Sequence, residues 1–389
     1  MKTAVLFIFV LLCFSCKEKP ADQASGSYDY RLCPTKVIKS FPLDDETRYN
    51  PFYLYTFEDG GKEYLSFLNY RTNQLLFYDL NTCKFLFKVE LDIEGPHGIG
   101  IASGYYIQDF KNMYISTYNY SGLIKVDTAS LITQKIPYHK TQEGYNVLPS
   151  YTPSSHPFVA PIQIDNDIYI TQIAADHIYP SAETPVSIMI DTVSKVSHSL
   201  PFTFGDALSK EQLSARECSF SRIYNDNKFI YSFYIEPDLF ITSKDHKQIK
   251  RIKVESKYIK EIPIKPIPDD FMKGAKQSLE LARYGDLIYD KYRNVYYRFA
   301  YPETELDNQI TWRGKAVYGR AKSSVIILDE QFHVIGETLL ADNLYNTFAY
   351  FISKEGIYIS KDYQMNYDQS EDYMTFELFE LFELFELKN

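Results

Sequence analysis

Cysteine, tryptophan and histidine are scarce in this chain, with five, one and seven of them among 389 residues. No CxxC pair and no Cys/His spacing suited to zinc occurs, so the sequence encodes neither a metal knuckle nor a disulfide framework. The histidines stand singly, and no helical i, i+4 ligand pair can be built from them. GxSxG, HExxH and the EF-hand loop are also absent, which removes the common hydrolase, metalloprotease and calcium-site signatures. The glycines of 98–104 (GIGIASG) have no following Lys-Ser/Thr and precede a strand, so they are turn residues and not a phosphate cradle. No basic tract offsets a formal net charge of −10, and nucleic acid is excluded as a partner on electrostatic grounds. No cofactor is implied.

What the chain has in abundance is tyrosine and phenylalanine, 35 and 27 of them, the composition of half-buried pleated strands. They fall in a repeat. An aromatic strand recurs about every 50 to 65 residues, at 62–70 (KEYLSFLNY), 112–120 (NMYISTYNY), 167–173 (DIYITQI), 228–235 (KFIYSFYI), 294–301 (NVYYRFAY) and 356–362 (GIYISKD). A second short strand follows each, as in 74–80 (QLLFYDL), 122–127 (GLIKVD), 186–191 (VSIMID), 238–243 (DLFITS), 323–329 (SSVIILD) and 372–379 (DYMTFELF). Alternating runs at 85–91, 134–138 and 249–254 supply a further strand. An apolar stretch before each aromatic strand, such as 158–165 or 218–225, completes a set of four.

Four antiparallel strands repeated radially make a β-propeller, in which neighbouring sheets build one another's core. The expected fold is therefore all-β, a six-bladed β-propeller of four-stranded antiparallel blades over 30–381. The sixth unit lacks its outermost strand, whereas 31–43 (RLCPTKVIKSFPL) stands unassigned at the other end. The N-terminal strand is expected to complete the last blade. One helix is expected within 268–283, where Asp269 and Asp270 are possible N-caps and Phe271, Ala275, Leu279 and Ala282 share a face.

The two ends differ from the repeat. Lys2, the apolar run 4–12 and the small residue before Cys16 resemble a bacterial lipoprotein signal over 1–15, with lipidation expected at Cys16. An ordinary secretory signal is the alternative. Residues 16–29 are polar and rich in small residues, a flexible tether. Cys33, Cys83 and Cys218 then remain, an odd set expected as small buried hydrophobes. At 376–387 the triplet FEL occurs four times, a period that matches neither strand nor helix, so 382–389 is expected to be a low-complexity extension.

Candidate ligand groups come from topology. Loops entering each inner strand, and loops joining second and third strands, share one face of a propeller. The first set holds Arg48, Tyr49, Asn50, His97, His156, Arg216, Glu217, Arg283, Tyr284 and Asn346, and the second adds 69–71, Asn119, Tyr120, Asp176, His177 and Tyr363. Two loops on this face are longer, 174–185 and 302–322, and the latter carries Trp312 beside Arg313. Guanidinium forks and aromatic faces suit a small polar ligand. The alternative is that these arginines are solvated and the tyrosines pack between blades. A calcium site would have only Glu217, Asn119 and Asn346 to draw on.

With the signal, the repeat and the stretch 284–299 (YGDLIYDKYRNVYYRF) together, the chain resembles uncharacterised six-bladed β-propeller lipoproteins of Bacteroidetes. The resemblance implies fold and compartment, a lipid-anchored outer-membrane protein that is periplasmic or surface-exposed, and carries no catalytic residues across. The expected function is a non-enzymatic binding or interaction module for a glycan, peptide or envelope protein, touching membrane by its lipid anchor only. Two alternatives stand beside it. One is a hydrolase or lyase acting on sugars or lactones, with His97 or His156 as base and Arg216 stabilising negative charge. The other is a structural or sensory subunit of an envelope complex.

Overall fold

The structure is a computed structural model that describes residues 29–47, 54–118, 120–147, 159–172, 180–214, 218–266, 268, 270–305, 320–362 and 372–384. Short β-branched and aromatic segments separated by tight turns fold as antiparallel meanders. At one such turn Asp226 and Asn227 both take left-handed backbone (φ 49 and 57), the geometry that matches the twist of a two-residue hairpin.

The first strand among the described residues is β1 (Tyr30–Pro42). The first four-stranded sheet follows: β2 (Leu54–Asp59), β3 (Lys62–Asn69), β4 (Gln74–Asp79) and β5 (Phe85–Glu90). The second is β6 (Ala102–Asp109), β7 (Asn112–Thr117), β8 (Tyr120–Val126) and β9 (Ile132–Pro137). The third is β10 (Ile162–Ile164), β11 (Asp167–Thr171), β12 (Ser187–Asp191) and β13 (Ser197–Ser199). Two short helices, α1 (Phe204–Ala207) and α2 (Lys210–Ser214), lead to the fourth: β14 (Phe220–Asn225), β15 (Lys228–Phe233), β16 (Asp238–Ser243) and β17 (Ile249–Lys253). Helix α3 (Phe271–Glu280) comes next, and the Asp270 side chain accepts from the Lys273 amide at 2.9 Å as its N-cap.

The remaining strands are β18 (Arg283–Asp290), β19 (Val295–Tyr301), β20 (Ser324–Leu328), β21 (Val334–Leu339), β22 (Asn346–Ile352), β23 (Ile357–Ser360) and β24 (Tyr373–Glu383). With β1 they form one eight-stranded sheet in the order β18-β19-β20-β21-β1-β24-β23-β22. The fold is all-β and propeller-like, built of four-stranded antiparallel sheets. Where six separate sheets were expected, the last two meanders are hydrogen-bonded into one. The reason is local: β1 meets β21 in parallel at the pair Tyr30–Gly336, and the Leu32 amide donates to Thr338 Oγ1 at 2.8 Å. A side chain at 336 would be driven into the Tyr30 carbonyl, so this approach requires glycine.

β1 also pairs antiparallel with β24, from Pro42 opposite Tyr373 to Tyr30 opposite Glu383. β24 thus ends at Glu383, two residues into the segment 382–389 expected as an extension, and 385–389 lie outside the described residues. The strand has neighbours on both faces, which removes the need for alternation. Phe376 and Leu378 pack toward the first sheet, whereas Phe379 and Leu381 pack toward β18–β21. Glu377 lies buried between them with its carboxylate accepting from Tyr345 Oη at 3.0 Å and from the Lys36 amide at 3.1 Å. Cys218 is buried as expected, but Cys33 and Cys83 are only half-buried.

Among the described residues six apolar cores lie between successive meanders, and the sixth joins the last to the first. Phe41 of β1 sits in that closing core, edge-on to Tyr78, Phe351 and Phe376 at 5.7, 6.0 and 5.9 Å. Inner strands from every meander surround one central cavity of about 350 Å³.

Closure can be tested by denaturant unfolding. Phe41→Ala should lower stability by about 3–5 kcal/mol and Gly336→Ala by about 1–3 kcal/mol. An unchanged midpoint for both would mean that β1 does not hold the ring.

Candidate functional site

The inner strands β18 and β22 begin on the face where β15 and β19 end, and there two irregularities gather polar groups. In β18 Arg283 lies opposite Tyr301 and Tyr284 opposite Ala300, but the register then slips so that Leu287 faces Arg298. Gly285 and Asp286 form this bulge, the kind of insertion that re-aims a side chain. Gly285 is needed because any side chain would strike the Tyr301 ring. A second register shift in β22 separates the pairs Asn346–Ser360 and Tyr350–Ile359.

Asp286 is carried inward and is 4% exposed. Its Oδ1 accepts from Tyr234 Oη at 2.5 Å and its Oδ2 from Tyr350 Oη at 2.9 Å. Burial pushes the carboxyl up to about 6, against the two phenolic hydrogen bonds and the Arg283 charge, which pull it down. The Arg283 guanidinium lies over the Tyr234 ring, 4.9 Å from its centroid. Beside them Thr347 Oγ1 donates to Tyr301 Oη at 3.1 Å, and Arg320 lies 5.3 Å from the Tyr301 centroid. Arg320 also donates to the Leu279 and Leu281 carbonyls at 2.7 and 2.8 Å, which fastens the end of α3 to this face. Burial raises a second carboxyl, Asp362, to about 7, and its Oδ2 accepts from Ser360 Oγ and the Thr375 amide, each at 3.1 Å. Burial thus raises two carboxyls, Asp286 in β18 with the Tyr234 and Tyr350 phenols on it and Asp362 just past the end of β23. Such groups can hydrogen-bond sugar or peptide hydroxyls and amides in either direction, and Asp286 can accept or return a proton.

A different network runs through the fourth meander. Arg222 donates to Ser187 Oγ at 3.1 Å and to the Ala160 and Tyr169 carbonyls at 2.9 Å each. Tyr231 Oη lies 2.8 Å from Ser187 Oγ and 2.6 Å from His246 Nε2, and His246 Nδ1 lies 3.1 Å from the Lys244 carbonyl. The carbonyl can only accept, so Nδ1 carries the proton, Nε2 accepts from Tyr231, and the chain is directed from Arg222 to His246. Burial lowers the imidazole to about 4, which keeps it neutral.

Of the sequence-derived candidates, His97, Arg283, Tyr284, Asn346, Tyr120 and residues 69–71 fall on described residues, and Arg283 stands beside Asp286 as given above. His97 is exposed at the turn before β6. The Asn346 side chain is buried and accepts from the Phe348 amide at 3.0 Å. Tyr284 is buried, with the Arg298 guanidinium 3.8 Å from its ring centroid and its hydroxyl accepting from the Ser256 amide at 3.3 Å. Arg48, Asn50, Asn119, His156, Arg216, Glu217, Trp312 and Cys16 lie outside the described residues. Asp286, Tyr234, Tyr301 and Tyr350 were not singled out by sequence. The available signal was Gly285, a glycine inside a strand pattern, which marks a bulge.

An all-β propeller-like scaffold with a buried acid–phenol cluster at one face is the class of protein these observations define. The chain belongs to the family described as a domain of unknown function, DUF4221, whose signature matches residues 36–339. It is similar to a crystal structure of a DUF4221 member from Bacteroides vulgatus, with 25% identity and a TM-score of 0.82 over 92% of this chain and 100% of that one. A more distant likeness is to a putative exported protein from Bacteroides fragilis, with 8% identity and a TM-score of 0.50 over 93% and 97% of the two chains. No protein of curated function matches the chain. No helix among the described residues is long and apolar enough to cross a membrane.

Two pH dependences follow, of opposite sign. Asp286 is raised from 3.8 to about 6, so its stabilising contribution is present at low pH and is lost as pH rises from about 4 to 6. The stability difference between wild type and Asp286→Asn should fall across that window, and a flat difference would refute the shift. His246 is lowered from 6.5 to about 4, so its contribution holds above about 6.5 and is lost as pH falls toward 4. His246→Gln should flatten the acid limb of the stability curve by about 3 kcal/mol, read by urea unfolding at pH 7 and 4.5.

Proposed function

We propose that this chain is a lipid-anchored envelope protein whose six-bladed propeller binds a polar ligand, a glycan or peptide, at the face bearing Asp286. The six-blade reading counts the eight-stranded sheet as two blades joined at Tyr30–Gly336, and the six cores between successive meanders support it. The lipoprotein signal ending at Cys16 supports the anchor, and an exported relative of the same fold is consistent with it. Binding is non-enzymatic in this reading. Its partner in the envelope is a glycan, a peptide or the exposed segment of another protein.

The observation that carries the ligand assignment is the clustering of Asp286, Tyr234 and Tyr350 with Arg283 at one rim. Phenols and a carboxyl that changes charge near neutrality offer donors and acceptors of adjustable sign. Arg216 and Trp312, which lie outside the described residues, are further ligand groups in this reading on the strength of their sequence positions. A second reading, acid–base chemistry on sugars or lactones, is favoured by one feature only: a carboxyl held near 6 is poised to move protons at physiological pH. In that reading Asp286 takes the role that sequence had offered to His97 or His156.

A thermal-shift screen of residues 17–389 against glycans, peptides, calcium and cell-wall fragments tests the proposal, since a ligand selective for the native state raises the melting midpoint. A shift that Tyr350→Phe and Trp312→Ala each reduce at least tenfold in apparent affinity is the expected result. Turnover of the same ligand, abolished in Asp286→Asn, would replace binding with catalysis. No shift with any compound would sink the ligand reading and favour capture of an envelope protein. Separately, incorporation of a fatty-acid label should be lost in Cys16→Ala.

A further inference from the structure

The face of the ring opposite Asp286 is defined by strand direction. β22 begins at the rim, and β22–β23 and β23–β24 both pair antiparallel, so β24 ends on the far side. The third strands β4, β8, β12 and β16 run the same way as their inner strands and end there too. β1 starts at that end, where the Leu384 amide donates to the Asp29 carbonyl. The segment that carries Cys16 therefore joins the ring on the face away from Asp286. Residues 17–28 lie between Cys16 and Asp29, a reach of at most about 45 Å.

The turns from third to outer strands on this face share a build. Asp79 accepts from the Asn81 and Thr82 amides at 3.1 and 2.7 Å, and Asp127 accepts from the Ala129 and Leu131 amides at 2.9 Å each. Asp191 does the same with the Val193 and Ser194 amides at 2.8 and 3.2 Å. Each carboxylate is folded back onto its own turn, which leaves an apolar side chain outermost. Phe85, Leu131 and Val193 are exposed at or beside these turns, Val193 to 72%. Ile249 is exposed after the matching turn of the fourth meander, and Phe382 and Leu384 are exposed where β24 meets β1. Lys84, Lys195 and Lys247 stand exposed in the same turns. Neighbouring meanders touch here, for Gln134 Nε2 donates to the Thr192 carbonyl at 3.1 Å and Lys244 Nζ lies 3.9 Å from Asp165 Oδ2.

A single exposed apolar side chain needs no explanation. Recurrence at one structural position in the first four meanders and the last, around the point where the anchored segment joins, does need one. Apolar tips with lysines beside them suit the boundary between water and hydrocarbon, where the tips leave water and the ammonium groups stay among headgroup phosphates. We infer that this face rests on a lipid surface, with Val193, Leu384 and their counterparts in the interface and the Asp286 rim turned away from the membrane. The inference rests on the lipid anchor of the reading above, and it adds contact by the protein to contact by the lipid. A rim held outward is open to a glycan or peptide arriving from the aqueous side.

Tryptophan quenching in the full lipidated chain tests it. Trp312→Phe removes the native indole, and one reporter is then introduced at a time by Val193→Trp, Leu384→Trp or Ile101→Trp. Ile101 is exposed and apolar but precedes β6 on the Asp286 face, so it controls for apolarity alone. Vesicles of phosphatidylcholine brominated on its acyl chains quench an indole that enters the lipid. The expected result is loss of fluorescence at 193 and 384 with emission at 101 retained. Equal quenching at all three positions, or none in a chain that carries its lipid, overturns the inference and leaves the anchor standing. A chain that takes up no fatty-acid label yet is quenched at 193 and 384 keeps this face and discards the anchor, whereas one that is neither labelled nor quenched overturns both. All three positions are exposed, and an unchanged melting midpoint certifies the fold of each variant.

Discussion

Everything in this fold depends on the pairing of β1 with β24. A string of antiparallel meanders that pack face to face has two open ends, each with an apolar face and an edge seeking partners. Ten register pairs between the first and last strands remove both ends at once. Phe41 then fills the core that joins the last meander to the first, and the contact between Tyr30 and Gly336 stitches the same strand to its other neighbour. The central cavity, the rim and the buried networks exist because the circle is complete.

Closure also explains why so many polar groups are buried. Sheets covered on both faces offer no wet side to which a charged residue can retreat, so each buried donor must find an acceptor in the next meander. Glu337 shows the pattern: Ser256 Oγ and Ser324 Oγ each donate to it at 2.6 Å and the Lys257 amide at 2.8 Å, so one carboxylate links two meanders. Asp286 differs in that its partners are phenols near a rim, where a carboxyl can change charge without breaking the frame.

Periodic features were legible in sequence and aperiodic ones were not. The aromatic strands, the helix capped by Asp270 and the participation of the N-terminal strand follow from spacing and turn chemistry. The period of three in the FEL triplets fits β24 because that strand is apolar on both faces with Glu377 satisfied inside, so one-sided alternation is not required there. The fusion of the last two meanders depends on a single close approach at glycine 336, which no pattern encodes. Asp286 escaped notice for a related reason. A bulge changes which face a residue occupies, and alternation rules place it wrongly by one step. Tyr284, its neighbour, was expected at the ligand face and instead supports Arg298.

The pairing of the first strand with the last also sets the order of folding. Thr35 and Leu378, which are hydrogen-bonded at 3.1 Å, are 343 positions apart in sequence. Contacts of such separation are the slowest to form, because the chain must surrender the entropy of a very long loop before the contact repays it. The ten-pair ladder of the opening strand must therefore wait until the final one has emerged, with only its short contact to β21 available earlier. A molecule built this way has its last-made strand as its clasp, so closure of the ring reports that the strand from Tyr373 to Glu383 is in place.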